Sequence, residues 1–264
     1  MKHKALITSI LLWLFFIANA QNKSGLIIYD IKYPNENLNA KTVESRLFFN
    51  DSLSIGVSYS TKFFVQKNIG INKENEGLGV AFKYGDEKGE LIYRNFNTEK
   101  ITLRFPKTAA LDEYTVDDNW IKIDWTIKDE MTTIGKFKCK KAIGEFRGRT
   151  YIAWFTEEIA LPYGPYKLCG LPGLILEAED SEKMFLAKMK FIEYPTNQEF
   201  DVQEPIEKEK KTLQDHVYSQ DRIEEILLEK LNSKAPKGIR FTKNLNKRDT
   251  KRIHSVEKIY EWEK

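Results

Sequence analysis

Two cysteines and three histidines are all that this 264-residue chain holds of the usual soft-metal and imidazole ligands. His3 lies at the extreme start, which leaves His216 and His254 far from any motif. Two isolated imidazoles and two cysteines are a poor basis for a tetrahedral zinc centre. Also missing are a Gly-x-Ser-x-Gly elbow, a glycine-rich phosphate loop and a His-Glu-x-x-His helix. Their absence removes the usual hydrolase, nucleotide-binding and metalloprotease readings. No cofactor and no metal are expected. Internal repeats and low-complexity stretches are lacking as well.

One-sided charge is lacking too. The formal net charge is +3, and part of that belongs to a leader. Lys2, His3 and Lys4 precede an apolar run over residues 5–18, and Ala18-Asn19-Ala20 fits a small-x-small cleavage site. The run is short for a membrane span, and Gln21-Asn22-Lys23 follows at once. Residues 1–20 are therefore expected to be a signal peptide, cut before Gln21. A retained anchor helix is the alternative. No cysteine follows the cut for lipidation, so the mature chain is expected to be exported and soluble, periplasmic or secreted. Without Lys2 and Lys4 it is close to neutral, so nothing points to nucleic acid. Charge is nonetheless uneven. Lys230, Lys234, Lys237, Arg240, Lys243, Lys247, Arg248, Lys251 and Arg252 face Asp249 alone. This block reads as a solvated tail, with contact to an anionic surface as the alternative.

What is present is alternation. Ile27, Tyr29, Ile31 and Tyr33 share one face of a strand, and Leu53, Ile55, Val57 and Tyr59 share another. Gly85-Asp86-Glu87-Lys88-Gly89 separates two β-rich runs, 80–84 and 91–94, as a hairpin would. Further strands are expected at 100–105, 120–127, 136–142, 150–156, 174–179 and 184–193. No long helical pattern interrupts them, which excludes parallel βαβ units. The fold class is mainly β: an antiparallel curved sheet or open barrel with a C-terminal α-helical appendage (α+β). A β-rich region over 21–194 is followed by a helical, charge-rich region over 195–264. There Leu213, Val217, Ile223, Leu227 and Leu231 mark one helical face, ended at residues 232–238. A weaker helical stretch carries Ile253, Val256 and Tyr260. His216, beside Leu213 and Val217, reads as a packing or surface histidine.

The remaining signals cluster after residue 135. Cys139, on the inward face of its strand, and Cys169 form an even pair in an exported chain. That makes a disulfide the expectation and two separately buried thiols the alternative. Asp112, Glu113, Asp117, Asp118, Glu157, Glu158, Glu177, Glu179 and Asp180 read as solvated charges at strand ends. Gly164-Pro165-Tyr166-Lys167 and Gly170-Leu171-Pro172-Gly173-Leu174-Ile175 place Gly and Pro where the chain must turn sharply. Gly173 after Pro172 suits a left-handed turn position.

With Phe146-Arg147-Gly148-Arg149 and Ala153-Trp154-Phe155-Thr156 before it, the run over 170–175 resembles the signature of the GLPGLI family. The likeness covers roughly 120–191. That resemblance implies an exported, β-rich protein of Bacteroidota with no assigned reaction or cofactor. It supplies no catalytic residue.

Two readings of the signature stand at this level. One is a structural corner feeding a strand. The other is a binding loop displaying Leu171 and Tyr166, supported by Lys167, Gly170, Pro172, Gly173, Leu174, Ile175, Arg147, Arg149 and Trp154. The expected function is accordingly an exported cell-envelope binding or accessory protein for an apolar ligand or a protein partner. The alternative is an envelope hydrolase using carboxylates or Lys167.

Overall fold

The computed structural model describes residues 24–34, 42–59, 67–69, 78–80, 85–242, 252 and 255–264. The expected signal peptide and Gln21, residues 81–84 of the first hairpin arm, Lys243, Lys247, Arg248, Lys251, Ile253 and His254 lie outside them.

Strands β1 (Ser24–Lys32), β2 (Val43–Phe49) and β3 (Leu53–Ser58) open the chain, followed by a small pair, β4 (Lys67–Ile69) and β5 (Leu78–Val80). Next come β6 (Glu90–Asn95), β7 (Lys100–Phe105), β8 (Tyr114–Asp118), β9 (Thr126–Ile134) and β10 (Phe137–Phe146). Then follow β11 (Arg149–Thr156), β12 (Leu174–Asp180), β13 (Leu186–Thr196) and β14 (Glu209–Thr212). Two helices close the set, α1 (Leu213–Asp221) and α2 (Ile223–Lys234). Twelve of the strands form one open sheet in the order β14-β8-β7-β6-β3-β2-β1-β13-β12-β11-β10-β9. Its pairings are antiparallel except that of β14 with β8. The fold is thus mostly β with two helices near the C-terminus.

The alternation read from the sequence is the alternation of burial. In β1, Gly25, Ile27, Tyr29 and Ile31 point into the core while Leu26, Ile28 and Asp30 do not. One cluster packs β1 and β2 against β10, β11, β12 and β13. A second joins Ile92, Leu103, Tyr114 and Val116 to Leu213 and Val217 of α1. Tyr166 touches both.

Three local expectations are corrected. Residues 119–125 are not a strand: β8 ends at Asp118 and β9 starts at Thr126. The single helix divides at Arg222, and the buried residues Leu213, His216 and Val217 all lie in α1, with none in α2. Val256 and Tyr260 lie in no α-helix, and only a 3-10 turn at Glu261–Glu263 follows.

The disulfide expectation is also corrected. Cys139 and Cys169 are both buried free thiols. Cys139 lies on the inner face of β10, where burial pushes its thiol up to about 11 and Glu158 and Glu177 add to the rise. Cys169 precedes the turn at Gly170, and there burial outweighs Arg94 and raises the thiol as well. The two sulfurs have different neighbours, and each behaves as a small apolar side chain.

Candidate functional site

The signature forms a corner between β11 and β12. Gly170 N–H donates to Pro162 O at 3.0 Å, Leu174 N–H to Ile159 O at 3.0 Å and Ile175 N–H to Tyr163 O at 2.9 Å. Gly173 does not have a positive φ, contrary to the turn expectation; Gly170 does, at +94°. Gly173 is required instead by close approach, because a Cβ there would lie 2.1 Å from Thr156 O. Leu171, Leu174 and Ile175 are buried, Leu171 at 1% exposure, and Trp154 packs partly buried against the same core. Only Gly170 and Pro172 of the signature are exposed. Leu171 is therefore held inside and not displayed.

The charged members of the expected site converge below this corner. Arg147 and Gly148, at φ 44° and 80°, make the two-residue turn between β10 and β11. From that turn the Arg147 guanidinium reaches Asp118 at 2.5 and 3.0 Å, Glu257 at 2.6 Å and Glu261 at 3.1 Å. Lys167 Nζ lies 2.5 Å from Asp118 and 2.6 Å from Glu257. The Tyr166 hydroxyl donates to Glu257 at 2.6 Å. Arg149 pairs with Asp180 and donates to Ser255 O and Val256 O. The C-terminal segment also docks by backbone: Lys258 N–H and Ile259 N–H both donate to Arg147 O.

Burial alone would raise the Asp118 carboxyl, but Lys167 and Arg147 outweigh it and hold it at about 2. Glu257 is lowered too, burial again opposing Lys167 and Arg147. Each cation is matched and the side chains are almost fully enclosed, so this network is a lock. Lys167 is committed to two carboxylates and is not an available base or nucleophile.

Sequence reading passed over a second cluster. Glu90 opens β6, Phe105 closes β7, and Tyr114 opens β8; His216 and Gln220, four residues apart, lie on one face of α1. With Pro106, Thr108, Leu111 and Gly85 they line a cavity of about 310 Å³. The His216 ring stacks on Phe105 at 4.2 Å. Gln220 Nε2 donates to the Tyr114 hydroxyl at 3.1 Å, and that hydroxyl lies 3.0 Å from His216 Nδ1. Burial, aided by Lys167, pulls the His216 imidazole down to about 4 against Glu257 and Asp118. The ring is thus neutral near pH 7. The Tyr114 hydroxyl and Nδ1 share one hydrogen bond, whose donor is set by the tautomer of the ring.

Glu90 has no hydrogen bond or ion pair to a described residue, and burial raises its carboxyl, with Lys167 opposing and Glu257 adding. A desolvated acid in a cavity is a common mark of a functional site. The visible sequence signal was the face shared by Leu213, His216, Val217 and Gln220. Nothing local placed Glu90 on the same cavity.

The neutral His216 gives a pH signature. Its folded value lies below the ordinary 6.5, so between about 6.5 and 4 the unfolded chain takes up a proton that the native ring refuses. Stability is complete above about pH 6.5 and falls as pH drops to about 4, by on the order of 2–3 kcal/mol. Urea unfolding at pH 7 and pH 4.5 should show this loss, and His216→Gln should reduce it. Equal pH slopes in the two proteins would exclude His216 as the source.

With this geometry in place, comparison with known proteins adds little about activity. The profile of a family described as "Protein of unknown function (Porph_ging)" matches residues 147–177, the segment holding Arg147, Arg149, Lys167 and the corner. No curated protein matches. Among solved structures, the chain is similar to PNGF-II in two crystal forms. The C2 form gives a TM-score of 0.50 at 13% identity, covering 79% of this chain and 33% of that one. The P21 form gives 0.49 at 14% identity, with 79% and 34% covered. This chain thus spans about a third of those structures, and the likeness concerns the fold alone.

Proposed function

We propose that this protein is an exported, non-catalytic binding protein of the cell envelope that holds a small ligand between β6, β7, β8 and α1. The cavity carries the reading: about 310 Å³, walled by Phe105, Pro106 and Leu111, with Glu90, His216 and Gln220 on its lining. That is near the lower end of the size range of small-molecule pockets and has their usual mixture of apolar wall and few polar groups. Export rests on residues 1–20, and the resemblance of residues 170–175 to the GLPGLI signature agrees with it. The signature corner then serves as scaffold, locked by Arg147 and Lys167 to the C-terminal segment.

Protein purified from its own envelope should begin at or next to Gln21 and release a small compound on denaturation, detected by mass spectrometry. Leu111→Trp, which fills the cavity, should fold and release none. The same compound in equal amount from both proteins would defeat the reading.

An envelope hydrolase has one observation in its favour, the raised Glu90 carboxyl in the same cavity. It predicts turnover of a chromogenic ester or glycoside that Glu90→Gln abolishes. No turnover by the wild-type protein across such a panel would count against it.

A further inference from the structure

We propose that the pocket takes a primary ammonium carried on a compact apolar body, with Glu90 as its counter-ion. This rests on the pocket-binding reading and adds the chemistry of the ligand. Among the described residues, Glu90 is the acid on the lining, and the lining holds neither Lys nor Arg. Lys167, the cation that acts on Glu90 electrostatically, is already shared between Asp118 and Glu257. The ammonium of Lys211 lies 4.3 Å from the centre of the Tyr114 ring and is likewise not part of the lining. Among the described residues, the carboxylate therefore faces the cavity without a protein cation on its lining.

Glu90 is half-buried, and desolvation disfavours its charged form, so burial raises this carboxyl although Lys167 opposes the rise. An incoming ammonium would supply the missing charge and keep Glu90 ionised. Two neighbours suit the same group. Gln220 gives its amide nitrogen to Tyr114, so Oε1 is the acceptor left for a ligand N–H. Phe105 and the neutral His216, stacked at 4.2 Å, form an aromatic wall that attracts a cation and accommodates an apolar body. A carboxylate ligand would meet a like charge at Glu90 unless that group were protonated. A neutral ligand would leave Glu90 unpaired.

The test titrates the purified protein at pH 7 with benzylammonium, benzyl alcohol and benzoate. Binding is followed by NMR at the Leu111 methyls and the His216 ring. Benzylammonium should bind at least about tenfold more tightly than benzyl alcohol, with benzoate the weakest, as expected for a desolvated charge pair. Glu90→Gln should erase the ammonium advantage and keep the benzyl alcohol affinity. Should that variant not fold, the wild-type ranking decides. Pocket shifts with benzyl alcohol equal to or tighter than benzylammonium, or with benzoate tightest, overturn the ammonium assignment and leave the pocket reading standing. No shift at Leu111 or His216 from any of the three probes overturns both.

Discussion

Arg147→Met is expected to lower stability by about 3–5 kcal/mol, the cost of removing one partner from a buried ion pair. Asp118 and Glu257 are 1% and 4% exposed in their side chains, and each receives a charge-assisted hydrogen bond from Arg147. Without the guanidinium, Lys167 alone must neutralise two enclosed carboxylates. For a chain of this size the loss corresponds to a fall in Tm of roughly 6–20 °C. Calorimetry on wild type and variant measures it, and a Tm within about 2 °C of wild type would refute the lock.

Arg94 supplies the opposite case. It is fully enclosed on β6, and among the described residues its Nε and Nη2 have no hydrogen-bond partner. Its Nη1 contacts Ser54 Oγ at 3.5 Å. Here a buried charge is not compensated, so Arg94→Met should raise stability, by about 1–4 kcal/mol. Two arginines in one core thus predict opposite signs from the same substitution. A fall in Tm for Arg94→Met would mean that the guanidinium is satisfied by a group outside the described residues.

Gly173→Ala should cost at least about 3 kcal/mol, at or beyond the range for overpacked cores. The added carbon would sit 2.1 Å from Thr156 O and 2.7 Å from Thr156 C, both backbone atoms that cannot rotate away. Relief requires separating the end of β11 from the start of β12, where Thr156 pairs with Leu174. Gly170→Ala is the matched control. Its Cβ meets nothing within 4 Å, so only the strain of φ +94° applies, about 1–3 kcal/mol. Urea melts of both variants should therefore rank Gly173→Ala as the less stable. Equal stability, or the reverse order, would refute close approach as the reason for glycine at 173.

The different fates of the corner and of the acids show where sequence reading stops. Gly164, Gly170, Pro172 and Gly173 announced a turn because glycine and proline act on their own backbone. The need for glycine at 173 is nevertheless not local, since Thr156 lies 17 positions earlier in the chain and approaches it only after β11 and β12 pair. Asp118 and Asp180 read in sequence as solvated charges at strand ends. Their partners Arg147 and Arg149 lie 29 and 31 positions away, and Glu257 is 110 positions from Arg147. For Arg147 and Lys167 no local pattern distinguishes a paired interior cation from a displayed one.

By itself the sequence determined the β-rich class, most strand positions, the inward side of Cys139 and the helical face of Leu213, His216 and Val217. Each is a consequence of local periodicity, which states only which side of an element avoids water. Tertiary structure decided that the cysteines stay apart and that Leu171 points inward. It also decided that the C-terminal segment is pinned by Arg147 and Arg149, and that Glu90 and His216 line one cavity. Those outcomes depend on which inward faces meet once twelve strands have paired in their order. Coulomb energy and desolvation depend on distances that strand order sets, and no local pattern encodes that order.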